Sequence, residues 1–374
     1  MTAMEFESNH DLEFILSELA ATLQLTPTQH AAAVGHYQAL STWLSADESP
    51  LAAYDINVYA QGSMALGTTV KPLSDAEFDL DFVCQVQAAD LDSLDLYEMF
   101  VSRLEANETY RTMLTKKKRC VCLTYADSFH ADVIPAVPDP AHGVSDHTNL
   151  LIPDRDLKGW TFSNPRGFAG WFKERSRVLV RRGLRADANV EPLPKLATVD
   201  EKTPLSIAIQ LIKRLRDRSF ADDVNAPRSI VLTTLAALEY RGDESVLFAM
   251  MTAAQAFERF ASVSNPSLFN PANAKENFAD KLNASQTANL MLLSSKIKTA
   301  VSAIISTRGL DSLREVLAAL FGDRPVVAAL KRFSDRHNEH RAARTLTYGA
   351  RGLGIVASTG GSIAPRNNYF GPKK

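Results

Sequence analysis

The sequence predicts an α+β protein of two lobes: strands and helices over residues 1–195, a helical lobe over 196–345, and a flexible tail over 346–374. Three observations carry this. Between residues 55 and 135 the apolar runs DINVYA, EFDLDFVCQV, RCVCLTYA and FHADVIP have strand length and strand composition. From Thr203 onward apolar residues recur at helical spacing almost without a break. From Thr347 the chain turns rich in Gly, Ser and Asn, which cannot build a core.

Composition narrows the class. A length of 374 residues allows two lobes, and a net charge of -2 lacks the basic excess of a general nucleic-acid binder. Cys84, Cys120 and Cys122 all fall in strand-like runs. An odd count is a poor disulfide framework and Cys-x-Cys is not zinc spacing, so buried reduced thiols are expected. The start, MTAMEFESNHDLEF, is acidic and has no signal-like apolar core. No stretch approaches the roughly 20 apolar residues of a membrane span. A soluble, cytoplasmic protein without a membrane association is expected.

Taken in order, residues 10–46 read as two helices. Phe14, Ile15, Leu19 and Leu23 face the core in the first, and Val34, Tyr37, Leu40 and Leu44 in the second. Thr26 and Pro27 punctuate them as N-cap and first helical residue. Residues 55–60 are a strand that delivers Gly62-Ser63, and 92–106 are a helix. Lys116-Lys117-Lys118-Arg119 reads as a solvated strand entrance, with a polyphosphate-facing patch as the sharper reading. Strands at 119–126 and 129–135, joined by Asp127-Ser128, read as a hairpin. Residues 136–167, rich in Pro, Gly, Asn and Asp, read as a long irregular connection, and 168–183 as a basic helix. Helices are expected at 204–220, 227–240, 244–262, 284–306, 310–321 and 325–338, with a loop at 265–283.

The chemistry concentrates in QGSMALGTTVKPLSDAEFDLDFVCQV, residues 61–86. Asp79 and Asp81 are two apart on a strand, so they share one face, while Phe78, Leu80 and Phe82 take the other. Carboxylates crowded on one face repel unless a cation lies between them. Asp132 is a third carboxylate, inside the apolar strand FHADVIP, and a neighbouring strand can bring it beside the first two. Three carboxylates on adjacent strands suit two Mg²⁺ ions about 4 Å apart, which activate a hydroxyl and stabilise the leaving oxygen in phosphoryl transfer. Gly62 lets backbone approach a phosphate, and the Ser63 hydroxyl with the turn amides can hold an anionic polyphosphate. Lys213, in the helical lobe, is a candidate charge for the far end of a triphosphate. His130 reads as a neighbour rather than a ligand, since imidazole matches Mg²⁺ poorly. Trp160, Trp171 and Phe172 read as packing residues.

Gly-Ser, Asp-x-Asp and a distant third Asp resemble the signature of the nucleotidyltransferases related to DNA polymerase β. NLLIPDRDLKGWTFSNPRGFAGWF, LIKRLRDRSF with PRSIVLTTLAA, and NPANAKENFADKLN narrow the resemblance to the bacterial cGAS/DncV-like nucleotidyltransferases (CD-NTases) of antiphage signalling, over residues 50–335. The resemblance implies a first lobe with a mixed sheet, a helical second lobe and an active-site cleft between them. It implies ATP, with GTP or another NTP as a second substrate, and two Mg²⁺ ions for which Mn²⁺ can substitute. The product is a cyclic oligonucleotide, expected to be a dinucleotide, read by a downstream effector. Asp79, Asp81 and Asp132 would bind the metals, with Asp132 helping to activate the attacking ribose hydroxyl. Gly62, Ser63, Lys213 and Ser229 would contact the triphosphate. A linear transferase acting on RNA or protein, or a silent nucleotide sensor, are the competing readings. Some relatives carry tails on which a partner acts; this one ends in Lys373-Lys374 rather than Gly.

Overall fold

A computed structural model describes residues 10–73, 78–88, 90–126, 129–142, 148–177, 193–195, 201–221, 223–280, 282–342, 347–348 and 355–356. Helix α1 (His10–Leu23) ends before α2 (Pro27–Ser45). Thr26 Oγ1 accepts from the Gln29 N–H at 3.2 Å and Gln29 Oε1 accepts from the Thr26 N–H at 3.0 Å, a reciprocal cap that satisfies two otherwise orphaned donors. There follow β1 (Ile56–Ala60), the single turn α3 (Gly62–Ala65), β2 (Phe78–Val86), α4 (Ser93–Glu105) and α5 (Glu108–Met113). Then come β3 (Leu114–Lys116), β4 (Val121–Tyr125), β5 (Phe129–Pro138), β6 (Leu150–Asp154), β7 (Gly159–Ser163) and α6 (Pro165–Ser176). The strands form one seven-stranded sheet in the order β1-β2-β5-β4-β3, with β6 attached to β5 and β7 to β6. Among the described residues only β2 and β5 run parallel, so the sheet is mixed.

One face of this sheet is covered by α2 and α4. Phe78, Leu80 and Phe82 pack there with Tyr37, Leu40, Leu44, Tyr97 and Phe100. The other face changes character along its length. It begins with Asp79, Asp81, His130 and Asp132 and ends apolar, where Tyr59, Val83, Ala136, Leu150 and Ile152 form a small separate cluster. The charged end of that face is left for chemistry.

The second lobe comprises α7 (Pro204–Ser219), α8 (Ser229–Glu239), α9 (Val246–Ala261), β8 (Phe269–Asn270), β9 (Asn273–Asn277), α10 (Ala284–Ser306), α11 (Leu310–Phe321) and α12 (Asp323–Ala342). A short pair, β10 (Thr347–Tyr348) with β11 (Ile355–Val356), follows. Thr203 caps α7 through its hydroxyl, which accepts from the Ser206 N–H at 3.2 Å.

Several sequence expectations are corrected. Residues 136–167 are not one irregular connection: β5 continues to Pro138, and β6 pairs antiparallel with β7 from Leu150↔Ser163 to Asp154↔Gly159. Turn-forming residues mask the signal, because the hairpin bend itself carries Asp154 to Gly159, and Pro153 lies past the last pairing of β6 with β5, where an open edge tolerates it. The loop at 265–283 holds the β8-β9 pair. The helix placed at 168–183 starts at Pro165 and ends at Ser176, since Arg177 is extended; residues 178–183 lie outside the described ones, as do Asp127-Ser128 and most of the tail. Helix α1, assigned by sequence to the first lobe, buries Ile15, Leu16, Leu19 and Leu23 in the core formed by α7 to α12. Finally, α10, at 23 residues with mean hydropathy 1.2, is long and apolar enough to cross a membrane. It is a core helix here, burying Leu290, Leu293, Ile297, Val301 and Ile304 in the helical lobe.

Candidate active site

The site starts from the backbone of Gly62. It has φ +60°, and a Cβ there would lie 2.2 Å from Asp81 Oδ2. Any side chain would therefore collide with the second aspartate of Asp-x-Asp as well as adopt a strained conformation. The Gln61 N–H donates to the Asp81 carbonyl at 2.8 Å, so the Gly-Ser turn is bonded directly to the carboxylate strand. Ser63 Oγ lies 3.4 Å from Thr69 Oγ1, and its carbonyl accepts from the Thr68 N–H at 2.9 Å.

Parallel pairing of β2 and β5 places Asp81 opposite Asp132 and Asp79 opposite His130. The structure thus brings together the three carboxylates singled out by sequence. Burial, then Asp132, then Asp79 push the Asp81 carboxyl up to about 6, with Lys213 and Lys117 pulling it back. His130 Nδ1 pairs with Thr124 Oγ1 at 3.0 Å. Three carboxylates, two of which raise the energy of the buried third, fit a divalent cation in chemistry and charge. Among the described residues, however, no group of three His, Cys, Asp or Glu side chains closes round one point. Asp132 is held instead by Lys117, whose Nζ donates to both carboxylate oxygens at 2.8 and 3.0 Å.

This sets up a pH-dependent result. Asp81 has a folded pKa near 6 against 3.8 in the unfolded chain, so its ionisation costs the folded state stability above pH 6 and nothing below pH 3.8. Asp81→Asn without metal should raise Tm at pH 7.5, by about 1–3 kcal/mol of stability, with the gain fading as pH falls from 6 to 4. Calorimetry at both pH values checks this; a lower Tm at pH 7.5 contradicts the clustering.

Helix α7 meets the site from the second lobe. Lys213 Nζ donates to the carbonyl and the Oγ1 of Thr68 at 3.1 and 3.0 Å, Gln210 Nε2 to the Thr69 carbonyl at 2.7 Å, and Arg214 to the Lys71 carbonyl at 2.8 Å. Residues 210, 213 and 214 share one helix face by their i, i+3, i+4 spacing, a signal legible in the sequence that sequence reasoning did not use beyond Lys213. This face grips the segment that joins the Gly-Ser turn to the carboxylate strand. Burial, with Arg216 next, pushes the Lys213 ammonium down to about 7. Its hydrogen-bond partners on Thr68 are neutral, and a nearby anion would favour its charged form. Lys213→Met should raise KM for the nucleotide about tenfold to a hundredfold, with the smaller effect on kcat. Steady-state kinetics checks it, and an unchanged KM contradicts the phosphate role.

Ser229 opens α8 and its hydroxyl accepts from Arg216 Nη1 at 2.9 Å, one helical turn beyond Lys213. The basic run is spent largely on local ion pairs. Lys116 pairs with Glu105 at 3.1 Å, Lys118 with Asp154 and Asp156 at 3.3 and 2.7 Å, and Arg119 with Asp154 at 2.8 Å. Asp154 is fully buried, and these cations hold its carboxyl down at about 2 against the effect of burial. Trp171 and Phe172 pack against the helical core and Trp160 against the sheet core, as expected. The cysteines are free, and burial pushes the Cys84 and Cys120 thiols up to about 12.

A Gly-Ser turn against aspartates on neighbouring parallel strands, faced by a lysine-bearing helix, defines a nucleotidyltransferase. A family model described as the Second Messenger Oligonucleotide or Dinucleotide Synthetase domain matches residues 12–176. A c-di-GMP synthase of Roseivirga ehrenbergii is 30% identical over 356 residues, which cover 93% of this chain and 92% of that protein. The cyclic dinucleotide synthase CdnG of Bradyrhizobium diazoefficiens is 28% identical over 366 residues, 90% of this chain and 86% of its own. The structure of CdnG in complex with GTP matches with a TM-score of 0.69 at 25% identity, over 86% of this chain and 99% of that one. Vibrio cholerae DncV cyclic AMP-GMP synthase, in complex with the linear intermediate pppA(3',5')pG, shares the fold at TM-score 0.54 and 15% identity, over 86% and 88%. This chain belongs to the CD-NTase family, the nucleotidyltransferases that make cyclic oligonucleotide second messengers in antiphage signalling.

Proposed function

We propose that this CD-NTase joins two guanosine nucleotides from GTP into a cyclic dinucleotide, using Mg²⁺ at Asp79, Asp81 and Asp132. The observation that carries the base assignment is the 30% identity, over 93% of the chain, to a c-di-GMP synthase. The GTP held by CdnG supports the same choice. ATP, the substrate that the sequence resemblance names, is kept as the competing substrate.

In this reading Gly62, Ser63, Lys213 and Ser229 hold the triphosphate of the donor, and the clamp of α7 on residues 68–71 sets its position relative to β2. Two divalent ions, when bound, neutralise charge on the transferring phosphoryl group and lower the pKa of the attacking hydroxyl. Asp132 helps to take the proton of that ribose hydroxyl, which attacks the α-phosphorus of the second nucleotide as pyrophosphate leaves. A second transfer on the repositioned linear intermediate closes the ring and releases a second pyrophosphate. Positioning and charge neutralisation supply most of the acceleration in such transfers. A cytoplasmic location, a downstream effector that reads the product, and a regulatory partner at the tail belong to the same reading.

Incubating the purified protein with Mg²⁺ and each NTP, alone and in pairs, then with phosphatase, tests it. GTP alone should give a phosphatase-resistant product. A resistant product that requires ATP overturns the base assignment, and label only in RNA or protein overturns cyclisation.

A further inference from the structure

We propose that Lys117 is a tethered counter-ion of the metal site, occupying Asp132 in the free enzyme and displaced when a divalent cation binds. The proposal rests on the metal-site reading of Asp79, Asp81 and Asp132 given above. Lys117 Nζ bonds both oxygens of Asp132, at 2.8 and 3.0 Å, which are the donor atoms a cation needs. The ammonium therefore takes up donor atoms that a closed three-carboxylate cage would use.

The tether is built into the fold. Lys117 lies in the turn between β3 and β4, where its N–H donates to the Cys120 carbonyl at 3.0 Å. The buried Tyr97 hydroxyl donates to the carbonyls of Lys117 and Cys120 at 2.9 and 3.1 Å, pinning both ends of the turn. Lys116, Lys118 and Arg119 are each paired with carboxylates away from the site, so of the four basic residues Lys117 is the one directed at it. Pairing of Cys122 with Asp132 carries the turn's strand alongside β5 and sets the reach of the side chain.

Exposure makes the pair exchangeable. The Lys117 side chain is 45% exposed and Asp132 is 28% exposed, so the ammonium can swing into water without opening the core. Lys213, by contrast, is buried and has no such exit. Three clustered carboxylates need positive charge whether or not metal is present. A lysine supplies one charge in the resting state, and divalent ions supply more when they bind. Lys117 is thus a positioning residue: it sets how tightly the free enzyme binds metal.

The test uses the full chain without nucleotide and Mn²⁺ as probe, with bound ion followed by loss of the free-ion electron paramagnetic resonance signal. Lys117→Met should bind Mn²⁺ about tenfold more tightly than wild type, the effect of removing one screened charge at a half-exposed site. It should also melt lower without metal and gain more on adding it. Lys117→Arg, which keeps the charge, should stay near the wild-type affinity. Equal affinity of Lys117→Met and wild type, or no binding by either, overturns the counter-ion role. The metal-site reading itself fails separately if wild-type Mn²⁺ binding survives the paired change Asp79→Ala and Asp81→Ala.

Discussion

Asp79→Ala combined with Asp81→Ala should lower turnover by at least about a thousandfold while leaving the protein folded. Divalent ions held by these carboxylates would supply several kcal/mol of transition-state charge stabilisation, and each factor of ten needs 1.36 kcal/mol. The fold should survive because β2 is held from its other face, where Phe78, Leu80 and Phe82 pack under α2 and α4. Asp79 itself is exposed. Turnover of GTP and thermal melting, measured together, check both halves. Turnover within about tenfold of wild type would remove the carboxylates from the chemistry.

Gly62→Ala should have the second-largest effect. Alanine at φ +60° costs about 1–2 kcal/mol of stability. The new methyl would also sit 2.2 Å from Asp81 Oδ2, so the carboxylate must move. Displacement of a reacting group by about 1 Å can cost about a hundredfold in rate, and that is the loss expected here. The two costs separate in a double-mutant cycle. In an Asp81→Ala background the collision is gone, so Gly62→Ala should destabilise less than it does in wild type. Equal destabilisation in both backgrounds would show that the backbone conformation alone demands glycine.

That cycle also shows what was legible in the sequence and what was not. Asp-x-Asp on a strand states its own geometry, because strand residues two apart share a face. Gly62 was legible as a glycine with a purpose, but its reason was not. Sequence pointed to a phosphate, whereas the structure shows Asp81 against its Cα, a contact made across 19 residues of chain. The place of Asp132 was foreseeable only as far as strand order can be guessed, and parallel pairing of β2 with β5 settled it. The cap at Thr26 was plain, since capping is local chemistry. The β6-β7 hairpin was hidden because strand pairing is non-local and its bend is dense in turn residues. The home of α1 was hidden for a related reason: an amphipathic helix shows that it has an apolar face but not which core will receive it. Lys117 was masked by its neighbours. Four basic residues in a row read as one solvated patch, and only the strand turn reveals that one of them aims at Asp132.

The central claim is that Gly62, the three aspartates and α7 serve the closure of a ring from two guanosine nucleotides. An equal mixture of ordinary and heavy-isotope GTP, supplied with Mg²⁺ as the sole nucleotide, tests it directly by mass spectrometry of the phosphatase-resistant product. A ring of two gives a three-peak pattern with the mixed species tallest. A four-peak pattern, or label recovered only in open-ended products that lose their terminal phosphates to phosphatase, would contradict it.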